Sequence, residues 1–140
     1  MGTLITLPNI GDIEFNEVKT KIGHTGKYFV DIDYKYFMKV PIRFFEHDIL
    51  KREVLILQLL DKNNFDWCPK LVHWDDNKLV TSYCGKPLTS KNIPKDYKSQ
   101  MNKILNDLES LNIQHNDIWH KSKPKELLVK DGKIYLEISL

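Results

Sequence analysis

The chain has 140 residues, a formal net charge of +2 and a hydrophobic content of 41%. This length suits one domain or a compact two-lobed unit, and the composition is typical of a soluble globular protein. The small net charge excludes the strong basic field of a nucleic-acid-binding protein, and no segment has the apolar length of a membrane span. We therefore expect neither a nucleic-acid partner nor a membrane partner.

The cysteines and the composition indicate the compartment. Cys68 and Cys84 stand alone, without a Cys-x-x-Cys pair. Isolated cysteines are typical of buried thiols in a reducing environment. The chain uses Lys, Asn, Ile and Asp heavily and avoids Ala, which suggests an AT-rich viral or bacterial genome. We therefore expect a cytoplasmic protein, located in the host cytoplasm if the genome is viral.

The first elements in chain order are predicted to form an antiparallel meander. The segments "EVKTKI" and "KYFVDID" flank Gly23-His24-Thr25-Gly26, which is the pattern of a β-hairpin. A third strand is predicted at "YKYFMKVPI", where aromatic residues and valine alternate with period 2. The residues before this hairpin are only weakly patterned.

A helix and a second hairpin follow. The helix is predicted from Glu46 to Leu60, because leucines and a valine recur there at helical spacing, and residues 61–64 end it. The segment "KLVHWDDNKLVTSYC" predicts a hairpin that turns at residues 75–77. A linker, "GKPLTSKNIP", comes next.

The last part of the chain contains a second helix, a polar loop and a final hairpin. Pro94 is placed to open the helix and Asn112 to end it. Its apolar stripe comprises Tyr97, Met101, Ile104, Leu105, Leu108 and Leu111. Asp131-Gly132 then predicts a tight turn between "ELLV" and "KIYLEI". The layout is that of a sheet-bearing lobe joined to a mainly helical piece, an α+β protein.

Glu53 is an acidic residue on the apolar face of the first predicted helix. Helical spacing places it between Leu57 and Leu60. A carboxylate there must find a cation or a water-filled cleft, or else become neutral. Lys39, in "FMKV" at the end of the third strand, is a candidate partner. The alternative is that Glu53 lies at the edge of the stripe and reaches solvent.

The polar loop contains His115 and Asp117, in "IQHNDI". Taken alone, these residues are a weak signal, because His and Asp are frequent in polar loops. A metal site formed by His115, Asp117 and His120 is disfavoured, since no further spaced ligands support it.

The order and spacing of these parts, from about Val18 to the C-terminus, resemble the protein-kinase-like superfamily. The sequence carries in turn a strand turn, the strand lysine, the helix glutamate, a hairpin, a linker, a helix, His-x-Asp and a hairpin. The resemblance implies an antiparallel-sheet N-lobe with one helix over residues 1–84, and a much reduced helical C-lobe over residues 85–140. It also implies ATP and Mg²⁺ as cofactors.

The resemblance assigns the catalytic residues. "FMKV" resembles the strand with the phosphate-binding lysine, here Lys39, and "KREVLIL" resembles the helix with its partner, here Glu53. "IQHNDI" resembles the catalytic loop, with His115 and with Asp117 as the residue that orients or accepts the proton of an attacking hydroxyl. His-Asn-Asp is also similar to the loops of choline kinases and antibiotic phosphotransferases.

The resemblance also assigns nucleotide contacts. The turn with Gly23 and Gly26 resembles the phosphate-covering loop, although the family pattern has a third glycine. "VTSYCGKPL" resembles the last strand of the small lobe and the hinge. Thr81 is then the gatekeeper, and the backbone of Ser82, Tyr83 and Cys84 would meet the adenine edge.

The metal ligands depart from the family pattern. Ser122 stands five residues after Asp117, where the family has an Asn. In the alternative alignment of "KPKELLV", Glu126 takes that place after a four-residue insertion, and its oxygens are suitable for Mg²⁺. Glu137 is the candidate for the second metal-binding carboxylate, unless the strand alternation turns it to solvent. The activation segment and the further large-lobe helices are not found before Leu140.

Three interpretations remain open at this point. The first is a small phosphotransferase that uses ATP and Mg²⁺ and transfers the γ-phosphoryl group to a hydroxyl. The second is a catalytically dead pseudokinase that binds a nucleotide or a protein. The third is an unrelated α+β domain. A reduced C-lobe would expose the stripe of the second helix and Trp119, so we also expect a protein partner or a homodimer.

Overall fold

The computed structural model describes residues 2–19, 26–111 and 127–137, which form nine strands and two helices. The strands are β1 (Thr3–Leu7), β2 (Gly11–Val18), β3 (Lys27–Asp31), β4 (Tyr36–Val40), β5 (Leu71–Trp74), β6 (Leu79–Ser82), β7 (Lys86–Pro87), β8 (Leu127–Lys130) and β9 (Lys133–Leu136). The helices are α1 (Phe44–Lys62) and α2 (Tyr97–Ser110). The described residues divide into two compact units, one of residues up to 59 plus 70–83, the other of residues 60–69 and from 84 onward. No helix among them is long and apolar enough to cross a membrane.

The first unit contains a six-stranded antiparallel sheet with the order β1-β2-β3-β4-β6-β5. The predicted antiparallel meander is confirmed, but β2 begins earlier than predicted and shares only Glu17 and Val18 with the segment "EVKTKI". The predicted hairpin at residues 75–77 joins β5 to β6. The prediction of three strands before the first helix was wrong, because β1 precedes them. A turn with Asn9 at φ 66° and Gly11 at φ 105° connects β1 to β2. Leu4 is 64% exposed, so β1 has an apolar residue on its exposed side and its sequence does not alternate between apolar and polar residues.

The two faces of this sheet have different side chains, because residues that are paired across antiparallel strands point to the same side. One face forms an apolar cluster with Phe15, Met38 and Val80 fully buried. The register places six residues of β3, β4 and β6 on the other face, which we call the Lys39 face: Tyr28, Val30, Phe37, Lys39, Leu79 and Thr81. Lys39 and the cluster residue Met38 are adjacent in β4, so they lie on opposite sides of the sheet.

Helix α1 extends two residues beyond the prediction at each end. It begins with Phe44, and the Oε1 of Glu46 accepts hydrogen bonds from the backbone N–H groups of Arg43 (2.6 Å) and Ile42 (3.3 Å). Glu46 thus acts as the acidic half of a capping box. The predicted apolar stripe is confirmed, with all four of its members buried: Leu50, Val54, Leu57 and Leu60.

The second unit contains a small sheet with the order β7-β8-β9. The predicted final hairpin is confirmed: Asp131 (φ 52°) and Gly132 (φ 76°) adopt the two left-handed conformations of a tight hairpin turn. The predicted linker contains the short strand β7. Gly85, with φ 103°, precedes it, and a Cβ there would lie 2.0 Å from the carbonyl oxygen of Val129. Only glycine allows this approach of β7 to β8.

Helix α2 packs in the second unit, so its stripe is covered. It begins three residues after Pro94, and its predicted stop at Asn112 lies outside the described residues. Met101, Ile104 and Leu108 are buried, and the expectation that the stripe is exposed was wrong. Gln100 bonds to the last hairpin at both ends of its amide, donating to the carbonyl of Gly132 (2.9 Å) and accepting from the N–H of Ile134 (2.7 Å). Trp119 lies outside the described residues.

The segment after α1 also belongs to the second unit. Trp67 is 2% exposed and donates from Nε1 to the Asp107 carboxylate at 2.7 Å. Asp66 accepts from Lys133 at 3.0 Å and Lys103 at 3.3 Å. The hydrogen bond from Lys133 is the largest cause of a lowered pKa at Asp66. These contacts attach the segment to α2 and to the last hairpin.

Candidate functional site

A buried ion pair joins strand β4 to helix α1. The Nζ of Lys39 donates to the Oε2 of Glu53 at 2.8 Å, and the two side chains are 6% and 0% exposed. The predicted pairing is therefore confirmed, and the alternative that Glu53 reaches solvent was wrong. The pairing arises because helical spacing turns Glu53 to the apolar side of α1, and strand alternation turns Lys39 away from the apolar cluster.

The burial of this pair indicates that it has a role other than stabilising the fold. Removing two charges from water costs several kcal/mol per ion, and the mutual attraction often only offsets that cost. An apolar pair of similar volume would therefore stabilise the fold about as well. Stability alone does not account for an ammonium group at this position, so we consider Lys39 a candidate functional cation.

Tyr28 is a further neighbour of the ammonium group. Its ring centroid lies 5.6 Å from the Nζ of Lys39, and the two residues are Cα partners across β3 and β4. Tyr28 is not among the site residues predicted from the sequence. Counting the register from the predicted hairpin to the next strand is the signal that would have found it.

Thr81, the predicted gatekeeper, lies on the Lys39 face. It is the Cα partner of Phe37, which is two residues before Lys39 on the same side of β4. Thr81 is 5% exposed. Within the first unit, the structure thus brings Thr81 to the same sheet face as Lys39, whose ammonium is held by Glu53.

The backbone after Thr81 is partly engaged in the fold. The N–H of Ser82 donates to the carbonyl of Lys70, and the N–H of Tyr83 donates to the carbonyl of Lys35, each at 2.9 Å. These two N–H groups are therefore not available to an adenine base. The predicted adenine contacts of this segment would have to come from its carbonyl groups or from the N–H of Cys84. The Cys84 side chain is 3% exposed and belongs to the second unit.

Gly26 has a clear structural role. Its φ is 115°, and a Cβ would lie 2.1 Å from the carbonyl oxygen of Val40. Glycine is needed here for the start of β3 to approach the end of β4. This role is independent of any phosphate contact. Gly23 lies outside the described residues.

The remaining predicted residues are mostly outside the described ranges. His115, Asp117, His120 and Glu126 all lie outside the described ranges, so the structure describes neither the predicted catalytic loop nor the predicted metal ligand in it. Glu137 follows β9 and is half-buried. The alternation that buries Ile134 and Leu136 leaves Tyr135 and Glu137 half-buried. Among the described residues, no group of three His, Cys, Asp or Glu side chains could hold a metal.

A groove of about 480 Å³ lies in the first unit between α1 and the β5–β6 hairpin. Leu50, Val54, Trp74 and Leu79 contribute its apolar lining, and Lys51 lies at its wall. Of the predicted site residues that the structure describes, none lines it. The sequence analysis missed this groove because it depends on the packing of a helix against a distant hairpin.

No protein-family model and no curated protein matches the sequence. Three solved structures of aminoglycoside phosphotransferases are similar to the structure. The streptomycin–ATP complex of APH(2'')-IIa has a TM-score of 0.54 at 12% identity, and ADP-bound APH(2'')-Ib has 0.53 at 11%. The gentamicin complex of APH(2'')-IIa has 0.52 at 11%.

Each similarity covers 89% of this chain and 64% of the other chain, so this chain spans about two thirds of the length of those phosphotransferases. The chain therefore has an α+β fold similar to that of the aminoglycoside phosphotransferases.

Proposed function

We propose that this protein is a small phosphotransferase that binds ATP and Mg²⁺ and transfers the γ-phosphoryl group to a hydroxyl acceptor. The observation that carries the proposal is the buried pair of Lys39 and Glu53 on a sheet face shared with Thr81. The phosphotransferases with a similar fold include structures with ATP or ADP bound.

The described residues fit the phosphate end of a nucleotide. An ammonium group has three N–H donors, so Lys39 can hold a carboxylate and a phosphate oxygen together. Glu53 holds the ammonium group, and the low exposure of Lys39 strengthens its attraction to an added negative charge. Phosphoryl transfer depends mostly on positioning and on charge neutralisation, and Lys39 supplies both.

The other roles fall on residues of the polar loop and the last strand. Asp117 would orient the acceptor hydroxyl and take its proton, with His115 in the same loop. Glu126 and Glu137 would hold Mg²⁺, which neutralises the phosphate charge when it is bound. Gly23 and Gly26 would cover the phosphates. Tyr83 would contribute its carbonyl group to the base edge, and Cys84 its carbonyl or N–H group.

A comparison of Asp117→Asn with the wild type tests the chemical step. We would measure phosphate release and phosphoryl transfer to hydroxyl acceptors, together with ATP affinity. Loss of a positioned base lowers turnover by about 100-fold or more, while ATP affinity stays within about twofold. The exposed Asp48, changed to Asn, is the control for loss of one carboxylate. Unchanged turnover in Asp117→Asn would remove Asp117 from the chemistry.

A second candidate is a binding module without turnover. Glu137 favours this candidate. It lies on the same side of the strand as the half-buried Tyr135 and not on the buried side with Ile134 and Leu136, so it is less well placed to hold a metal ion. ATP binding that is unaffected by Mg²⁺ and by Glu137→Gln, with no phosphate release, would support this candidate over the enzyme.

A protein partner or a homodimer remains part of the proposal. Several apolar side chains near the start of α1 are exposed, including Phe44 at 91% and Phe45 at 53%. Exposed apolar surface of this kind is typical of an interface. Light scattering at high protein concentration tests the homodimer, and a strictly monomeric species would contradict it.

A further inference from the structure

We infer that Tyr28 is a positioning residue for the ammonium group of Lys39, which it holds from the neighbouring strand while Glu53 holds it from the helix. The inference deepens the proposed function, because it concerns the group that would bind the nucleotide phosphates. The contact itself is a property of the ligand-free protein and can be tested without ATP.

The geometry places the ring where it can act on the ammonium. Tyr28 in β3 and Lys39 in β4 are direct cross-strand partners, so their side chains leave the sheet on the same face. The ring centroid lies 5.6 Å from the Nζ of Lys39, within the range of a cation–π interaction. Tyr28 is 8% exposed, and Lys39 is 5% exposed, so little water weakens the attraction.

The ring is itself held in place. Phe37 packs edge-to-face against Tyr28, with 5.3 Å between the ring centroids and 68° between the ring planes. This is a favoured arrangement for an aromatic pair. Phe37 also lies two residues before Lys39 in the same strand. The orientation of the Tyr28 ring is therefore set by the same strand that carries the lysine.

Two contacts from different elements define a position better than one. A lysine side chain has a flexible four-carbon stem, so contacts from more than one side are needed to fix the position of its ammonium group. The ring face of Tyr28 attracts the ammonium from β3, while the carboxylate attracts it from α1. Lys39 is thus preorganised by the sheet as well as by the helix, which lowers the cost of binding phosphates.

Two substitutions separate the ring from the hydroxyl. Tyr28→Phe keeps the aromatic face, and Tyr28→Leu removes it while keeping apolar bulk. Phe29→Leu is the matched control, because Phe29 is the next residue in β3 and packs in the apolar cluster on the opposite face. Phe29→Leu also removes one aromatic ring from the sheet, so it measures the effect of lost packing without loss of the contact to Lys39.

The first readout is the NMR spectrum of the Lys39 side chain without nucleotide, assigned by its absence in Lys39→Met/Glu53→Gln. Ring-current shifts of the Lys39 methylene protons should be present in the wild type and in Tyr28→Phe, and lost in Tyr28→Leu. Phe29→Leu should resemble the wild type. If Tyr28→Leu changes these signals no more than Phe29→Leu does, the inference is overturned.

The second readout is ATP affinity by calorimetry. Loss of a desolvated cation–π contact should weaken binding about tenfold in Tyr28→Leu, with recovery in Tyr28→Phe and no change in Phe29→Leu. Equal affinity in all variants would overturn the positioning role. If the wild type binds no ATP but the Lys39 signals respond as expected, the positioning contact is supported and the proposed function fails.

Discussion

Glu53 lies fourteen residues after Lys39 in the chain, and its carboxylate accepts a hydrogen bond from the lysine at 2.8 Å inside the first unit. The pair forms only if strand β4 and helix α1 each present the right side chain to the other. Strand alternation must turn Lys39 away from the apolar cluster, and α1 must begin at the right residue to bring Glu53 to its inner face. Features that fix the start of α1 and the end of β4 therefore also fix the candidate site.

The first prediction concerns the start of α1. Glu46 is 2% exposed and accepts the N–H groups of Arg43 and Ile42. Glu46→Ala leaves these donors without the carboxylate and should lower the free energy of unfolding by about 1–2 kcal/mol, measured by urea denaturation. Glu46→Gln keeps an acceptor and should cost less. The exposed Asp48, changed to Asn, should have little effect, and an equal loss in that control would contradict the capping role.

The second prediction compares two glycines with positive φ. Gly26 has φ 115° and no room for a Cβ beside Val40, whereas Gly11 has φ 105° and nothing within 4 Å of the added atom. Gly11→Ala should therefore lower the free energy of unfolding by backbone strain alone, about 1–2 kcal/mol. Gly26→Ala adds a clash with backbone and should cost about 3 kcal/mol or more in thermal or urea unfolding. Equal losses at the two positions would show that the close approach of β3 to β4 is unimportant.

The third prediction concerns acid stability at the turn between β5 and β6. The carboxylate of Asp75 accepts from His73 (2.8 Å), Lys78 (3.1 Å) and the N–H of Asn77 (2.7 Å). Burial alone would raise the pKa of Asp75, but these hydrogen bonds outweigh it and lower the pKa from 3.8 to about 2. The folded pKa is below the unfolded one, so this carboxylate stabilises the fold above about pH 4. That contribution is lost as the pH falls to about 2.

The substitution Asp75→Asn tests this dependence. The side chain is 36% exposed, so screening by solvent reduces the expected loss at pH 7 to about 1 kcal/mol. The difference between the variant and the wild type should shrink between about pH 4 and pH 2, where the wild-type carboxylate becomes protonated. Urea unfolding across this range measures it, with Asp76→Asn in the same turn as the control. A difference that does not depend on pH would contradict the account.

Much of the fold could be predicted from local patterns. The leucine spacing of α1 and the Asp131-Gly132 turn are strong local signals, and both were correct. The placement of Glu53 on the apolar face also followed from helical periodicity, and it led directly to Lys39. These predictions succeeded because each depends on only a few neighbouring residues or on one period.

The parts that were missed depend on distant partners. Leu4 is exposed, so β1 lacks the clean alternation of a half-buried strand, although its turn residues were visible. The burial of Met101 and Ile104 follows from packing of α2 in the second unit, which a helical pattern alone does not reveal. Tyr28 lies beside the ammonium group because of the register between β3 and β4, which can be counted only after both strands and their turn have been placed.

The most direct test of the account is calorimetric titration with ATP, with and without Mg²⁺. Lys39→Met alone leaves Glu53 buried without its partner and risks unfolding the protein, so Lys39→Met/Glu53→Gln is measured beside it. Lys27→Met is the control, because Lys27 is an exposed lysine of the neighbouring strand. Circular dichroism of each variant shows whether the fold is retained.

The account predicts Mg²⁺-dependent ATP binding in the wild type and in Lys27→Met. It predicts binding that is about 10- to 100-fold weaker in the folded double variant, since one charge-assisted contact to phosphate is lost. No ATP binding by the wild type, or equal affinity in the double variant, would contradict the central claim that Lys39 is the phosphate-binding cation of this fold.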